Sequence, residues 1–132
     1  MIYNVFVKGF NEHIEEEVII EINGIELVGF MPFGISFEPE KGKQYPITIS
    51  LVVLDDLEVQ EEKDGESGFF RIDDSFSYII KGTFNLEKKT INAGLELSLE
   101  DEIEEFIDEM WPYDGKKIQI RVDRINVEFL EE

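Results

Sequence analysis

The sequence predicts a mainly β fold of the β-rich α+β kind. We expect a small antiparallel barrel or sandwich of about six strands, with one short acidic helix before the last strand. Aromatic and β-branched residues, including eleven Phe and four Tyr, favour strands. Several segments also alternate apolar and polar residues with a period of two, which is the pattern of a half-buried strand. An OB-like barrel, which also carries a helix before a late strand, is the alternative.

Domain organisation is predicted from length and from internal similarity. With 132 residues, 42% of them apolar, the chain suits a single domain over residues 1–132 with one core. Residues 2–60 and 76–130 are faintly similar, since Val5-Phe-Val-Lys-Gly9 resembles Tyr78-Ile-Ile-Lys-Gly82. A duplication would give two similar three-stranded halves, and chance similarity between short apolar strands explains the pattern equally well. Gly42-Lys43 and Gly115-Lys116 match in the same way.

The first half begins with a predicted strand over residues 2–10, followed by the clearest local signal in the chain. Asn23-Gly24 separates the alternating apolar runs 18–22 and 25–28. Asn-Gly supplies the positive φ angles of a two-residue turn, so the two runs are expected to form a hairpin. The register of this hairpin would pair Ile22 with Ile25 and Ile20 with Leu27 on the core side, and Glu21 with Glu26 on the wet side.

A loop and a further strand complete the first half. Residues 29–44 mix Gly and Pro with aromatic residues, which predicts a loop anchored by its aromatic side chains. The best alternation of this half follows at residues 45–53. Because proline cannot donate to a ladder, Pro46 is expected to begin that strand or to lie at an edge. Residues 61–68, charged and rich in glycine, predict a flexible loop.

The second half predicts strands at 69–72, 75–84 and 91–97, then a helix and a closing strand. Ser98 stands at the N-cap position of the helix, and Pro112 is expected to end it. The closing strand begins at Ile118 and runs to Phe129, with a β-bulge around Asp123-Arg124 where the alternation slips. The apolar stripe of the helix consists of Leu99, Ile103, Phe106, Ile107 and Met110.

Charge and cysteine content limit the partners and the compartment. Thirty-one acidic residues against twelve basic ones give a formal charge of −19, which repels phosphate backbones and anionic lipids. We therefore expect no nucleic-acid and no membrane partner, and suspect a basic protein partner. The chain has no cysteine, its N-terminus lacks the features of a signal peptide, and no apolar run approaches a membrane span. These features predict a cytoplasmic protein.

No catalytic, cofactor-binding or metal-binding residues are predicted. His13 is the only histidine, and with Glu12 and Glu15 beside it in a polar connection we expect it to be solvated. Asp64-Gly-Glu66 and Asp73-Asp74 lack the ligand spacing of a calcium loop. No Walker loop and no GxGxxG motif is present. The sequence therefore leans away from an enzyme and predicts no cofactor.

The predicted helix carries the candidate binding surface, because between Ser98 and Met110 it has seven acidic residues and no Lys or Arg. In a continuous α-helix, like charges four residues apart and acids at the C-terminal end would cost about 1 to 2 kcal/mol. Such a cost is consistent with an anionic docking face, although a merely solvated acidic face is the simpler interpretation. The candidate partner-binding residues are Glu100, Asp101, Glu104, Glu105, Asp108, Glu109, Trp111 and Tyr113; the Trp, taken alone, would more often fill a core.

Three function classes follow from these observations. The first is a non-enzymatic acidic module that neutralises a basic partner, of which a bacterial immunity or inhibitor protein would be an example; its association should slow with salt. The second is a structural or oligomerisation module using strand edges or the aromatic residues 29–37. The third is a small ligand-binding or enzymatic barrel, which would show a concave apolar pocket with a few polar groups.

Overall fold

The computed structural model describes residues 1–62, 65–100 and 103–130, and strands dominate them. A closed barrel, a second sheet and one short helix before the last strands confirm the predicted mainly β fold. Shorter strands than expected raise their number above the predicted six. Within the described residues the strands are β1 (Ile2–Phe10), β2 (Glu17–Ile22), β3 (Ile25–Phe30), β4 (Gln44–Val52), β5 (Val59–Glu61), β6 (Gly68–Arg71), β7 (Tyr78–Asn85), β8 (Thr90–Asn92), β9 (Glu96–Ser98), β10 (Lys117–Val122) and β11 (Arg124–Phe129).

Contacts within the chain define two compact units. Unit one comprises Met1–Ile49 and Ile125–Glu132, and unit two comprises Ser50–Arg124. The single domain over residues 1–132 stays a prediction. A helical turn, α1 (Glu104–Ile107), and a 3-10 helix (Asp108–Tyr113) lie between β9 and β10 in unit two.

Unit one contains the closed barrel, with the strand order β1-β2-β3-β11-β4. Its β2–β3 hairpin is confirmed, because Asn23 and Gly24 have φ angles of 50° and 79°. The register is also the predicted one: Ile22 lies opposite Ile25, Ile20 opposite Leu27, and Glu21 opposite Glu26. The core of this unit includes Val5, Val18, Ile20, Leu27, Ile47 and Val127.

The barrel closes through β11, which pairs with β3 in parallel at Asn126 and Phe30. This pair departs from the predicted antiparallel arrangement. A Cβ atom at Gly29 would collide with the Val127 side chain, so the glycine permits the close approach of the two strands.

The prediction for Pro46 is wrong, because the proline neither begins β4 nor lies at an edge. The strand begins at Gln44, and β4 lies between β1 and β11. A residue's N–H and C=O leave a strand on the same side, and the Pro46 carbonyl accepts a bond from Leu130 N at 3.0 Å. The N–H that Pro46 lacks would therefore have pointed to residues just beyond Phe129, where β11 ends, so no hydrogen bond of the β4–β11 ladder is lost.

Unit two contains a sheet with the order β5-β10-β7-β8-β9, and β6 pairs with β7. The predicted strand over residues 91–97 is wrong: it is a hairpin of β8 and β9. Gly94 turns the chain with a φ angle of 98°, and its N–H donates to Asn92 Oδ1 at 3.0 Å. The core of this unit includes Ile80, Phe84, Ile91, Leu97, Ile118 and Ile120.

The predicted closing strand with a bulge is also wrong, because the strand is interrupted at Asp123. The residues before it form β10 of the sheet, and those after it form β11 of the barrel. Asp123 N donates to Val52 O at 2.8 Å, and the Asp123 carboxylate accepts from Leu54 N at 2.7 Å. These bonds give the Asp123 N–H and the Leu54 N–H hydrogen-bond acceptors at the point where the chain leaves β10. The slip in alternation therefore marks the boundary between two strands.

The two units share one feature that bears on the suggested repeat. In each, a strand containing Lys-Gly pairs antiparallel with a strand that follows Gly-Lys, namely β1 with β4 and β7 with β10. The registers differ. Tyr45 lies opposite Val5, whereas Tyr78, the counterpart of Val5, lies opposite Val122 rather than Ile118. Duplication of residues 2–60 and 76–130 stays a prediction.

Candidate protein-docking site

The candidate site lies after β9, where the expected N-cap at Ser98 is wrong. Ser98 ends β9, and α1 begins after Ile103, whose side chain makes no capping bond. The Ser98 hydroxyl accepts a bond from Glu100 N at 3.3 Å. The neighbouring Leu99 N donates to Lys89 O at 2.8 Å. This bond keeps the chain extended beside the turn that precedes β8, so the helix starts later than its sequence signal.

The helix is also shorter and tighter than predicted. One α-helical turn passes into the 3-10 helix, and Pro112 lies inside that helix rather than ending it at Met110. A 3-10 turn is common at the end of an α-helix. The predicted cost of 1 to 2 kcal/mol assumed α-helical spacing from Ser98 to Met110, so that sum does not apply to this geometry.

The apolar stripe is buried as predicted, and it holds the segment in place. Leu99, Ile103 and Ile107 are each 1% exposed, and Met110 is 2% exposed. Phe106 is half-buried. Full burial of an aliphatic side chain contributes about 1.5 to 3 kcal/mol, so the segment is anchored along its length.

The opposite face of the segment, here called the acidic face, presents carboxylates to solvent. Asp101 of the predicted set lies outside the described residues, and Tyr113 is half-buried. The exposed members are Glu100, Glu104, Glu105, Asp108, Glu109 and Trp111.

Trp111 is the decisive member of this face. Its side chain is 68% exposed, so the interpretation of this tryptophan as a core plug is wrong. A tryptophan presents a large, rigid apolar surface with one N–H donor, and such side chains are enriched at the centres of protein interfaces. Its position two residues after Glu109 combines an apolar anchor with negative charge.

One cation already contacts the acidic face. Lys89 Nζ lies 3.5 Å from Glu104 Oε1, and both side chains are well exposed. An exposed pair of this kind contributes about 0 to 1 kcal/mol. Within the described part of the chain, Glu105, Asp108 and Glu109 form no ion pair. No sequence spacing connects Lys89 with Glu104, because they meet only after the β8–β9 hairpin folds.

Two hydrogen bonds join the C-terminal end of the segment to β7 and to the β7–β8 connection. Asp114 Oδ1 accepts a bond from Leu86 N at 2.9 Å, and Gly115 N donates to Phe84 O at 2.9 Å. The buried stripe holds the backbone before Trp111, and these two bonds hold the backbone after it. A preformed support lowers the ordering cost of binding.

The other sequence candidates do not form a site. His13 is exposed, and its backbone N–H donates to Asn11 Oδ1 at 2.8 Å. Asp73 and Asp74 are exposed in a turn, and Asp64 lies outside the described residues. Over residues 1–62, 65–100 and 103–130, no group of three or more His, Asp or Glu side chains is placed to hold a metal ion. The same residues contain no helix that is long and apolar enough to cross a membrane.

Fold and site define the chain as a barrel-containing, mainly β protein with a preformed acidic and aromatic surface. The chain belongs to the family described as Uncharacterised conserved protein UCP019853, whose model matches residues 1–130. No curated protein and no solved structure matches the chain.

Proposed function

We propose that this protein is a non-enzymatic binding module that docks a basic protein partner on its acidic face. The observation that carries the proposal is the exposure of Trp111, at 68%, beside the exposed carboxylates of Glu105, Asp108 and Glu109. The indole would enter an apolar pocket of the partner, and the carboxylates would meet Lys or Arg around it. An apolar anchor ringed by charges is the usual arrangement of a binding hot spot.

The charge of the whole chain supports the same partner. A formal charge of −19 attracts a cationic protein and speeds its encounter, and salt screens that attraction. A bacterial immunity or inhibitor protein that neutralises a basic toxin or enzyme is a concrete example of this class. As the sequence predicts, we expect the complex to form in the cytoplasm.

The test is a tagged capture from lysate of the native host at low and at high salt, followed by purification of the captured protein. We compare the wild type with Trp111→Ala and with the triple variant Glu105→Gln, Asp108→Asn and Glu109→Gln. The matched control removes three exposed carboxylates of unit one, in the variant Glu12→Gln, Glu15→Gln and Glu40→Gln.

The proposal expects one basic protein that the wild type and the control both retain. Trp111→Ala should weaken its binding by about tenfold or more, since interface tryptophans often contribute above 1.4 kcal/mol. The triple variant should slow association and reduce its dependence on salt. Equal retention by all four proteins, or retention of no basic protein at either salt, would contradict the proposal.

Self-association is a second candidate, favoured by one exposed side chain in the aromatic loop. Phe33 is 81% exposed and lines a concavity together with Ile35, Phe129 and Leu130, and apolar side chains grouped at the surface are a feature of interaction sites. Sedimentation over a range of protein concentrations, with Phe33→Ser as the variant, tests this candidate. Oligomers that persist in high salt and dissociate on Phe33→Ser would favour it over the acidic face.

A further inference from the structure

Strand β1 of the barrel extends beyond its pairing with β4, the neighbour on one side. Its pairing with β4 ends at Phe6, opposite Gln44, the first residue of β4. The chain before Gln44 turns away, since Lys43 N donates to Glu40 O at 3.3 Å. Residues 7–10 therefore have β2 on one side and, within the described residues, no strand on the other. We call residues 7–10 the overhang.

The overhang contains a β-bulge. Val7 lies opposite Ile20 and Gly9 opposite Ile19, so Lys8 is the extra residue. A bulge changes the direction of the side chains and of the ladder groups around it, and bulges are enriched beside binding sites. An unflanked strand edge presents N–H and C=O groups that another chain can pair with.

A groove runs along this edge. Its volume is about 500 Å³, and it is lined by β1 from Phe6 to Phe10, by Glu21 of β2, and by Pro39, Lys41 and Gly42 of the loop before β4. The Phe10 side chain is 46% exposed. A second concavity continues from Phe10 and Pro39 towards Phe37. The groove thus offers apolar surface directly beside unpaired backbone.

The far wall of the groove is held in place by its own contacts. Glu40 N donates to the Tyr45 hydroxyl at 2.6 Å. The Phe37 ring lies 5.0 Å from the Tyr45 ring and meets the Phe129 ring edge-on at 5.8 Å. These contacts fix the loop to β4 and β11, so binding of an occupant would require little ordering of this wall.

Two of the three lysines of unit one line this groove. The sequence of this unit contains three basic residues, Lys8, Lys41 and Lys43, and the first two line the groove. Lys8 is paired with Glu21, whose Oε2 lies 3.6 Å from its Nζ. Lys41 is exposed, and it forms no ion pair in the part of the chain that the structure describes. A carboxylate is the group that would complement it.

We propose that the overhang binds an extended peptide segment of a partner protein by strand addition. The segment pairs its backbone with residues 7–10, sets alternate apolar side chains against Phe6 and Phe10, and places an acidic side chain beside Lys41. Main-chain hydrogen bonds supply affinity in this mode of recognition, and the side-chain pockets supply specificity. The groove and the acidic face use different residues, so this inference does not rest on the proposed function.

The test uses synthetic heptapeptides in which valine, leucine or phenylalanine alternates with aspartate, blocked at both ends and labelled with fluorescein. Binding to the whole chain is followed by fluorescence anisotropy, and the bound residues are located by amide NMR shifts and hydrogen exchange. We expect saturable binding by at least one peptide, with shifts and slowed exchange at residues 7–10. Lys41→Glu should weaken binding by about tenfold. Lys88→Glu, which makes the same change at an exposed lysine of unit two, should leave it unchanged.

Two further peptides separate strand addition from other modes. A version N-methylated at alternate residues loses the backbone donors, and it should bind about tenfold or more weakly if the backbone pairs with the overhang. A version with lysine in place of aspartate should bind residues 7–10 about tenfold or more weakly, because it places a cation beside Lys41.

Three results would overturn the proposal. The first is the absence of saturable binding at residues 7–10 by every aspartate peptide. The second is binding of the N-methylated peptide as tight as that of the unmethylated peptide, which would show that the groove recognises apolar and acidic side chains without backbone pairing. The third is slowed exchange at residues 7–10 that grows with protein concentration without peptide, which would show that a second copy of the chain occupies the edge.

Discussion

Gly29 is the position where one added atom should damage the barrel most. A Cβ there would collide with Val127 Cγ2 and lie 3.4 Å from Ile125 O. Val127 is 1% exposed, so its side chain cannot move aside into water. Overpacking of this kind costs about 1 to 3 kcal/mol. For a chain of this size Gly29→Ala should lower the melting temperature by roughly 3 to 15 °C.

The assays are thermal unfolding, for the melting temperature, and urea unfolding, for the free energy. Both are followed by far-ultraviolet circular dichroism, since the exposed Trp111 is a poor fluorescent reporter of folding. Gly9→Ala is the matched control, because a Cβ at Gly9 meets nothing within 4 Å. Its stability should change by less than about 1 kcal/mol, in either direction. The comparison of the two variants removes the effect that an alanine has on the unfolded chain.

Val127→Ala supplies the internal check. Alone it should cost about 1 to 3 kcal/mol, because it leaves a cavity. In the Gly29→Ala background it also removes the collision, so its cost should fall by about 1 kcal/mol or more. If Gly29→Ala is as stable as Gly9→Ala, or if Val127→Ala costs the same in both backgrounds, the close approach of β3 and β11 is not what requires glycine.

Two further predictions concern unit two. Asp123→Ala removes the acceptor for Leu54 N, which lies 2.7 Å from the carboxylate, and should lower the free energy of unfolding by about 1 to 2 kcal/mol; Asp123→Asn keeps an acceptor, and urea titration should show a smaller loss. Trp111→Ala should change stability by less than about 0.5 kcal/mol, because its side chain is 68% exposed. Met110→Ala, one residue earlier and 2% exposed, should cost about 2 to 5 kcal/mol in the same assay, and similar losses for both would contradict the exposed placement of the indole.

The two proposed surfaces would bind their partners through different kinds of interaction. The acidic face relies on side chains and long-range charge, so its binding should fall with salt. The overhang relies on backbone groups and apolar contacts, and only its Lys41 contact should depend on salt. Salt dependence, measured for each ligand separately, therefore distinguishes the two surfaces without any variant.

Sequence reasoning located the elements whose rules are local. The β2–β3 hairpin was predictable in its register because Asn23-Gly24 defines the turn by its own backbone preferences. The apolar stripe from Leu99 to Met110 was predictable because burial follows a regular spacing. The helix around that stripe was not, since the bond from Leu99 N to Lys89 O holds the chain extended at a place that the N-cap signal of Ser98 marked as helical.

The sequence by itself determined the mainly β fold, the acidic charge and the positions of most strands, because composition, alternation and turn residues act within a few positions of one another. Tertiary structure alone decided the break at Asp123, the parallel approach of β11 to Gly29, the exposure of Trp111 and the unflanked edge of β1. Each of these depends on groups far apart in the chain, such as Asp123 and Leu54. Local pattern does not encode which distant segment arrives, so burial, pairing and exposure at these positions follow only from the complete set of contacts.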